Sequence, residues 1–249
     1  MIRREDEKIF NESLDTIFSI AGKVIEELNL DSDIAFFELE KIFGVDGRKE
    51  QSILYKFVEY ERNSDDNLIP EFFEVNFGIN NKRDSDDRLF LESPIEVENV
   101  KLKGKIDRIE LNRNKNEYSI VDYKIGRSMP TKAEIDSGIS LQLPVYLMAA
   151  KSLLKYNFDE EFYPLYMNIY SLRMNVNDFG KSKIYAARKS DDQAEINKQL
   201  ISNTVDIIKT QVDKIADGEF HLSKWDNREK VVCRYCKYKS VCRVEEYLS

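Results

Sequence analysis

The sequence predicts an α/β protein of the α+β kind: an N-terminal helical segment, a group of strands, a helix and further strands, and a cysteine-containing tail. Three observations predict it. Apolar residues recur at helical spacing over 5–28, which is the mark of an amphipathic helix. Ile, Val and Tyr alternate with polar residues in "KLKGKIDRIELNRNKNEYSIVDYKIG", 101–126, around a turn-forming Asn-Lys-Asn, which is the mark of two paired strands. All three cysteines lie close to the C-terminus, in "CRYCKYKSVCR".

The elements follow in order. Ile9, Phe10, Leu14, Ile17, Phe18, Ala21, Val24, Ile25 and Leu28 form the apolar stripe of the first helix. A second helix is predicted over 48–62, with Ile53, Leu54, Phe57 and Val58 inward, and the polar run "NSDDN" ends it. "EFFEVNFGI" reads as a strand, 80–93 as a charged loop, and 95–98 as a short strand. Ser140 is placed to cap a helix over 141–155, with Pro144 in the first turn, where a missing N–H matters least. "LYMNIYSLR" and "SKIYAARK" read as strands, and a long helix over 191–216 stops at Asp217-Gly218. The tail from Glu219 on has little periodicity and is rich in Lys, Arg and Tyr.

The hairpin carries an anomaly. With 113–116 as its loop, Asn112 faces Glu117, Leu111 faces Tyr118 and Ile109 faces Ile120, and a one-residue slip would destroy these apolar pairs. The same register sets Asp107 against Asp122, with Lys124 on the same face. Like charges directly opposite are destabilising, and burial increases the cost. A divalent cation between them would remove the repulsion. The competing reading is a wet, frayed strand end.

The totals narrow the function classes. A chain of 249 residues with 34% charged and 42% hydrophobic residues reads as soluble and globular. "MIRREDEKIF" is too charged for a secretory signal, and "LQLPVYLMAA" is too short to cross a bilayer, so a cytoplasmic location without membrane attachment is expected. The net charge of −8 argues against a protein that coats nucleic acid generally, without excluding a nuclease with a local basic patch. No Walker-type glycine loop is present, so ATP hydrolysis by this chain alone is not expected.

"GKIDRIE", "IVDYKIG" and "GISLQLPVYLMAA", preceded by "FEVNFG" and followed by "CRYCKYKSVCR", resemble the PD-(D/E)XK nuclease superfamily in its RecB-like exonuclease branch. Together they are similar to the C-terminal nuclease domain of AddB-type helicase–exonuclease subunits, over about residue 48 to the C-terminus. The resemblance implies a restriction-endonuclease-like core, a central mixed β-sheet flanked by helices. On it, 1–65 is a helical segment packing on the core, 66–218 the nuclease core and 219–249 the cysteine-containing tail, in one compact domain.

The resemblance also implies roles. Asp107 matches the aspartate of "G-x-I-D", a metal ligand; Asp122 and Lys124 match "D-x-K", a second ligand and a cation orienting water or phosphate. The carbonyl of Tyr123 would be a further ligand, and oxygen donors of this kind suit magnesium or manganese. Gln142 and Tyr146 match "Q-x-x-x-Y", whose spacing puts both on one helical face; the competing reading is a helix whose Tyr146 covers the core. Glu74 matches the glutamate of the "E-x-x-F" strand, and either approaches the metal through water or braces the site.

In the family, the counterparts of Cys233, Cys236 and Cys242 join a fourth, upstream cysteine to hold a 4Fe–4S cluster; this chain has no fourth, and His221 is its only histidine. Zinc is the other metal such a trio could take. The upstream histidine that completes the metal shell in this branch is also absent. Both departures read as a C-terminal piece of a longer protein or a stripped-down relative, with a helix glutamate such as Glu12 or Glu26 as the alternative replacement. Arg228, Lys230, Arg234, Lys237, Lys239 and Arg243 are candidates for a DNA path, the competing reading being a solvated tail. The expected function is a magnesium- or manganese-dependent DNA exonuclease in end processing or recombinational repair, partnered by a helicase or helicase–nuclease subunit. Two rivals are a nuclease closer to the CRISPR-associated exonucleases and a catalytically weak DNA-binding or scaffold module.

Overall fold

The structure, a computed structural model, describes residues 7–28, 32–64, 67–79, 85–126, 129–174, 179–188, 190–219, 233, 236–238 and 241. The N-terminal apolar stripe folds as α1, Glu7–Leu28. A helix that the periodicity does not predict follows, α2, Ser32–Phe43. Two 3-10 turns, Val45–Gly47 and Lys49–Gln51, lead into α3, Ile53–Asn63. The predicted helix over 48–62 thus starts late, because Ser52 takes the N-cap position and its hydroxyl accepts the Tyr55 N–H at 3.0 Å. α1 packs on α3 through Phe10, Leu14 and Val58, with the Phe10 and Tyr55 rings edge to face at 5.7 Å.

The strands are β1 (Ile69–Phe77), β2 (Ile95–Val97), β3 (Val100–Leu102), β4 (Gly104–Asn112) and β5 (Glu117–Lys124). Then come the short α4 (Lys132–Asp136), α5 (Gln142–Asn157), β6 (Tyr163–Ser171), β7 (Gly180–Ile184) and α6 (Gln193–Ala216). Five strands form a mixed sheet in the order β1-β4-β5-β6-β7, in which only β5 and β6 are parallel. β2 and β3 form a separate two-stranded sheet. The architecture is a central mixed sheet flanked by helices.

The hairpin register is the one that the apolar pairs specify: Asn112 opposite Glu117, Leu111 opposite Tyr118 and Ile109 opposite Ile120. On this face the core is built with α5, whose Leu147 carbonyl accepts the buried Tyr118 hydroxyl at 2.7 Å. α6 contributes Leu200 to the same core, and its buried Asn197 donates to the carbonyls of Pro164 and Leu165 at 2.8 and 3.1 Å.

Two local expectations are corrected. Ser140 does not cap α5; the N-cap is Leu141, without a side-chain bond. The Ser140 N–H instead donates to the Glu134 carbonyl at 3.1 Å, closing the end of α4. The strand expected over "SKIYAARK" begins earlier and stops at Ile184, the last residue paired with β6; Tyr185 then leaves the extended region with φ +61.

The chain divides into two compact units, Met1–Ile208 and Lys209–Ser249. The second contains the end of α6 and the described tail residues, where the Cys236 N–H donates to the Cys233 carbonyl at 3.2 Å and Tyr238 and Val241 are exposed.

Candidate active site

The site grows from the point where β4 and β5 stop pairing. Their ladder runs from Asn112 and Glu117 to Arg108 and Val121 and ends there. Asp107 and Asp122 occupy the next register position, one step past the last ladder pair. In place of a backbone carbonyl, the Asp107 side chain takes the Tyr123 N–H, its Oδ2 accepting at 2.9 Å. A carboxylate does the work of the missing ladder bond, so the strands part without orphaning a donor.

Asp122 is buried, with 1% of its surface exposed. Its Oδ1 accepts from Gln142 Nε2 at 2.7 Å, and Lys124 Nζ lies 2.8 Å from its Oδ2. The lysine contact is a charge contact without the alignment of a hydrogen bond, so Oδ2 keeps an unfilled acceptor site. Lys124 Nζ also donates to Gln142 Oε1 at 3.2 Å, and Gln142 Nε2 lies 3.3 Å from the Tyr146 hydroxyl. Gln142 opens α5, and the four-residue spacing to Tyr146 brings both to this end of the sheet.

β1 supplies the third wall. Phe73 pairs with Arg108 and Val75 with Ile106, so Glu74 sits opposite Asp107. Glu74 has φ +53, a left-handed conformation that a glutamate adopts inside a strand only under constraint. Its carboxylate pairs with Lys105 Nζ at 2.6 Å. The glycine of "GKID" has a steric reason: a Cβ on Gly104 would lie 2.8 Å from the Phe77 ring, which stands edge-on to Tyr146 at 6.3 Å.

Burial raises the Asp107 carboxyl above the usual carboxylate range; the Tyr123 N–H opposes this, Asp122 and Glu74 add to it, and Lys124 subtracts. Burial likewise raises the Tyr146 hydroxyl, against the Gln142 hydrogen bond and with Asp107 and Asp122 adding. Two neighbouring carboxylates, one burdened by burial and one with an open lone pair, form an oxygen-rich site that fits a hard divalent cation. Among the described residues no group of three His, Cys, Asp or Glu side chains is gathered for a metal, so Asp107 and Asp122 would need backbone or solvent oxygen to complete a shell.

The structure thus brings Asp107, Asp122, Lys124, Gln142 and Tyr146 together, with Tyr123 on β5 between Asp122 and Lys124 and Glu74 on the adjoining β1. Of the cysteine trio, Cys233 is partly buried and Cys236 exposed, while Cys242 lies outside the described residues. Two thiols are short of the four ligands that a zinc or iron–sulfur site takes. Lys237 is exposed; Arg228, Lys230, Arg234, Lys239, Arg243 and His221 lie outside the described residues.

Beneath the site lies a group of charges that the sequence does not reveal. Arg108, Glu110 and Glu61 are brought together on the opposite face, joined by Lys181. The available signal was an Arg and a Glu, Arg108 and Glu110, alternating with the apolar residues of a central strand.

A profile described as the PD-(D/E)XK nuclease superfamily matches residues 6–243. Among curated proteins, the B-type subunit of an ATP-dependent helicase/deoxyribonuclease from Carboxydothermus hydrogenoformans is 29% identical over 209 residues, covering 63% of this chain and 19% of that protein. A protein of the same name from Desulforamulus reducens is 23% identical over 286 residues, covering 93% of this chain and 24% of its own length. The chain therefore spans about a quarter or less of these relatives.

Proposed function

Because the chain belongs to the PD-(D/E)XK nuclease superfamily, we propose that it hydrolyses DNA phosphodiester bonds with magnesium or manganese at Asp107 and Asp122, acting as an exonuclease. The observation that carries this reading is the gathering of Asp107, buried Asp122, Lys124 and Gln142 where β4 and β5 part. Asp107 and Asp122 would hold the cation, with the Tyr123 carbonyl as a further donor. The chemistry such a cation would supply, when bound, is polarisation of the scissile phosphate and a lower pKa for water beside it. Gln142 orients Asp122 through its Nε2 and turns its Oε1 to Lys124, setting the ammonium beside the carboxylate. Lys124 is placed to stabilise negative charge developing on phosphate. Glu74 braces the Asp107 side through Lys105.

The finer parts of the proposal are a role in DNA end processing or repair, a helicase partner and a cytoplasmic setting, in keeping with relatives named as helicase/deoxyribonuclease subunits. Among the described residues, no helix is long and apolar enough to cross a membrane. An iron–sulfur cluster on Cys233, Cys236 and Cys242 belongs to the same set and needs a fourth ligand from another residue. A second reading, a DNA-binding module with weak activity, is favoured by the small number of acidic ligands gathered here.

The test is digestion of end-labelled linear DNA with Mg2+ or Mn2+ and with chelator. Asp107→Ala and Asp122→Ala should abolish cleavage while the protein stays folded. Lys124→Ala should lower turnover severely and leave Mn2+ affinity largely intact, because an ammonium is not a ligand. Lys124→Arg should rescue poorly, since a planar fork does not replace a compact charge. Normal cleavage by both aspartate variants overturns the site assignment, and an inactive wild-type chain that still binds DNA selects the second reading.

A further inference from the structure

Behind the site, on the face of the sheet covered by α3, lies a buried cluster of four charges. Arg108, 2% exposed, grips Glu61 of α3 with both ends of its guanidinium, at 2.9 and 3.2 Å. The same guanidinium bonds Glu110, whose carboxylate also takes Lys181 of β7 at 3.0 and 2.9 Å. Two positive and two negative groups balance. Arg108 makes a further contact to the Tyr123 hydroxyl, at 3.1 Å.

Tyr123 is the residue between Asp122 and Lys124. Strand alternation sends its side chain through the sheet to the α3 face, while its neighbours face the site. Its ring sits against Tyr170 at 5.4 Å and Phe57 at 6.4 Å. Its N–H is taken by Asp107. The ladder with β4 has ended two positions earlier, at Val121, so on that side the peptide is held by side chains, not by backbone pairing. Arg108 is also the residue next to Asp107, so one guanidinium sits directly behind both strands where they diverge.

We propose that Arg108, held by Glu61 and Glu110, and Tyr123 are positioning residues that clamp the Asp122–Tyr123–Lys124 peptide against Asp107 and so set the separation of the two carboxylates. A buried ionic cluster contributes little net stability compared with well-packed apolar side chains, but it fixes geometry strongly because each member has directional partners. The Tyr123 hydroxyl joins the cluster to the site, so removing it uncouples the two while the ring keeps its packing. The consequence for cation binding rests on the nuclease reading; the clamp itself does not.

The test is Tyr123→Phe in the full chain, measured in three ways. Amide exchange at residue 123 by NMR reads the Asp107 bond directly and should be about tenfold faster, the effect of losing roughly one hydrogen bond's worth of restraint. Mn2+ affinity without DNA, by electron paramagnetic resonance, should weaken about tenfold, as for other groups that orient metal ligands. In cleavage, kcat should fall while KM for DNA is unchanged. Unchanged exchange overturns the clamp; faster exchange with unchanged Mn2+ affinity overturns its positioning role. Asp122→Ala run alongside separates the two ideas: if it binds Mn2+ and cleaves like wild type, the assignment of the metal site to Asp122 fails, and the exchange rate still decides the clamp.

Discussion

Gln142→Ala isolates how the buried carboxylate is held. Asp122 has one well-aligned donor, Gln142 Nε2 at 2.7 Å, and one charge contact, Lys124 Nζ at 2.8 Å. A hydrogen bond to a charged, buried group contributes about 1.5–3 kcal/mol, and its loss here is offset by at most a few tenths from the better helix propensity of alanine. The net cost is about 2 kcal/mol, or roughly 4–8 °C in Tm for a chain of this size. The measurement is denaturant and thermal unfolding of chelator-treated protein at neutral pH, repeated in an Asp122→Ala background. There the same substitution should cost under about 0.5 kcal/mol, because its partner is gone. Equal losses in the two backgrounds would mean that Gln142 stabilises the helix start and not the carboxylate. No loss in either would refute the reasoning outright.

Two other perturbations follow from single features. Burial, with Asp122 and Glu74, raises the folded-state pKa of Asp107 above its unfolded value, so the folded chain holds this proton more tightly. Stability from this group is therefore fully present below the unfolded pKa and declines as pH rises through the folded one. Chelator-treated Asp107→Asn should lose less stability than wild type between acid and neutral pH and should melt higher at neutral pH; a lower melting point there contradicts the assigned burial cost. Gly180 has φ +105, and a Cβ on it would lie 2.1 Å from the Tyr60 ring. Gly180→Ala should cost about 2 kcal/mol or more, read as a lower denaturant midpoint, from backbone strain and overlap together; an unchanged midpoint would show that β7 and α3 separate freely.

Much of the site was legible because strand pairing has a period of two. Leu111, Ile109, Tyr118 and Ile120 specify one register, and that register carries Asp107, Asp122 and Lys124 to one face. Gln142 and Tyr146 were legible through their match to the "Q-x-x-x-Y" element, with the four-residue spacing placing both on one helical face. α4 was readable in principle, since Thr131 and Glu134 form a capping box, but five residues give too short a run for periodicity. α2 lacks a comparably clear signal, with Phe36 and Phe37 both exposed.

Local sequence determined the strands, their register and the residue types at the site, because each depends on neighbours a few positions away. Only the tertiary structure decided where the β4–β5 ladder stops, that the side chain of Asp107 replaces the next backbone bond, and that Glu74 takes a left-handed conformation within β1. It also decided that Arg108 and Glu110 lie buried, although alternation alone gives them to a polar face. Glu61 and Lys181, 47 residues before Arg108 and 71 after Glu110, arrive through the packing of α3 and the pairing of β7. A buried charge is tolerable only with its partner in place, and no local pattern can reveal a partner that long-range folding supplies.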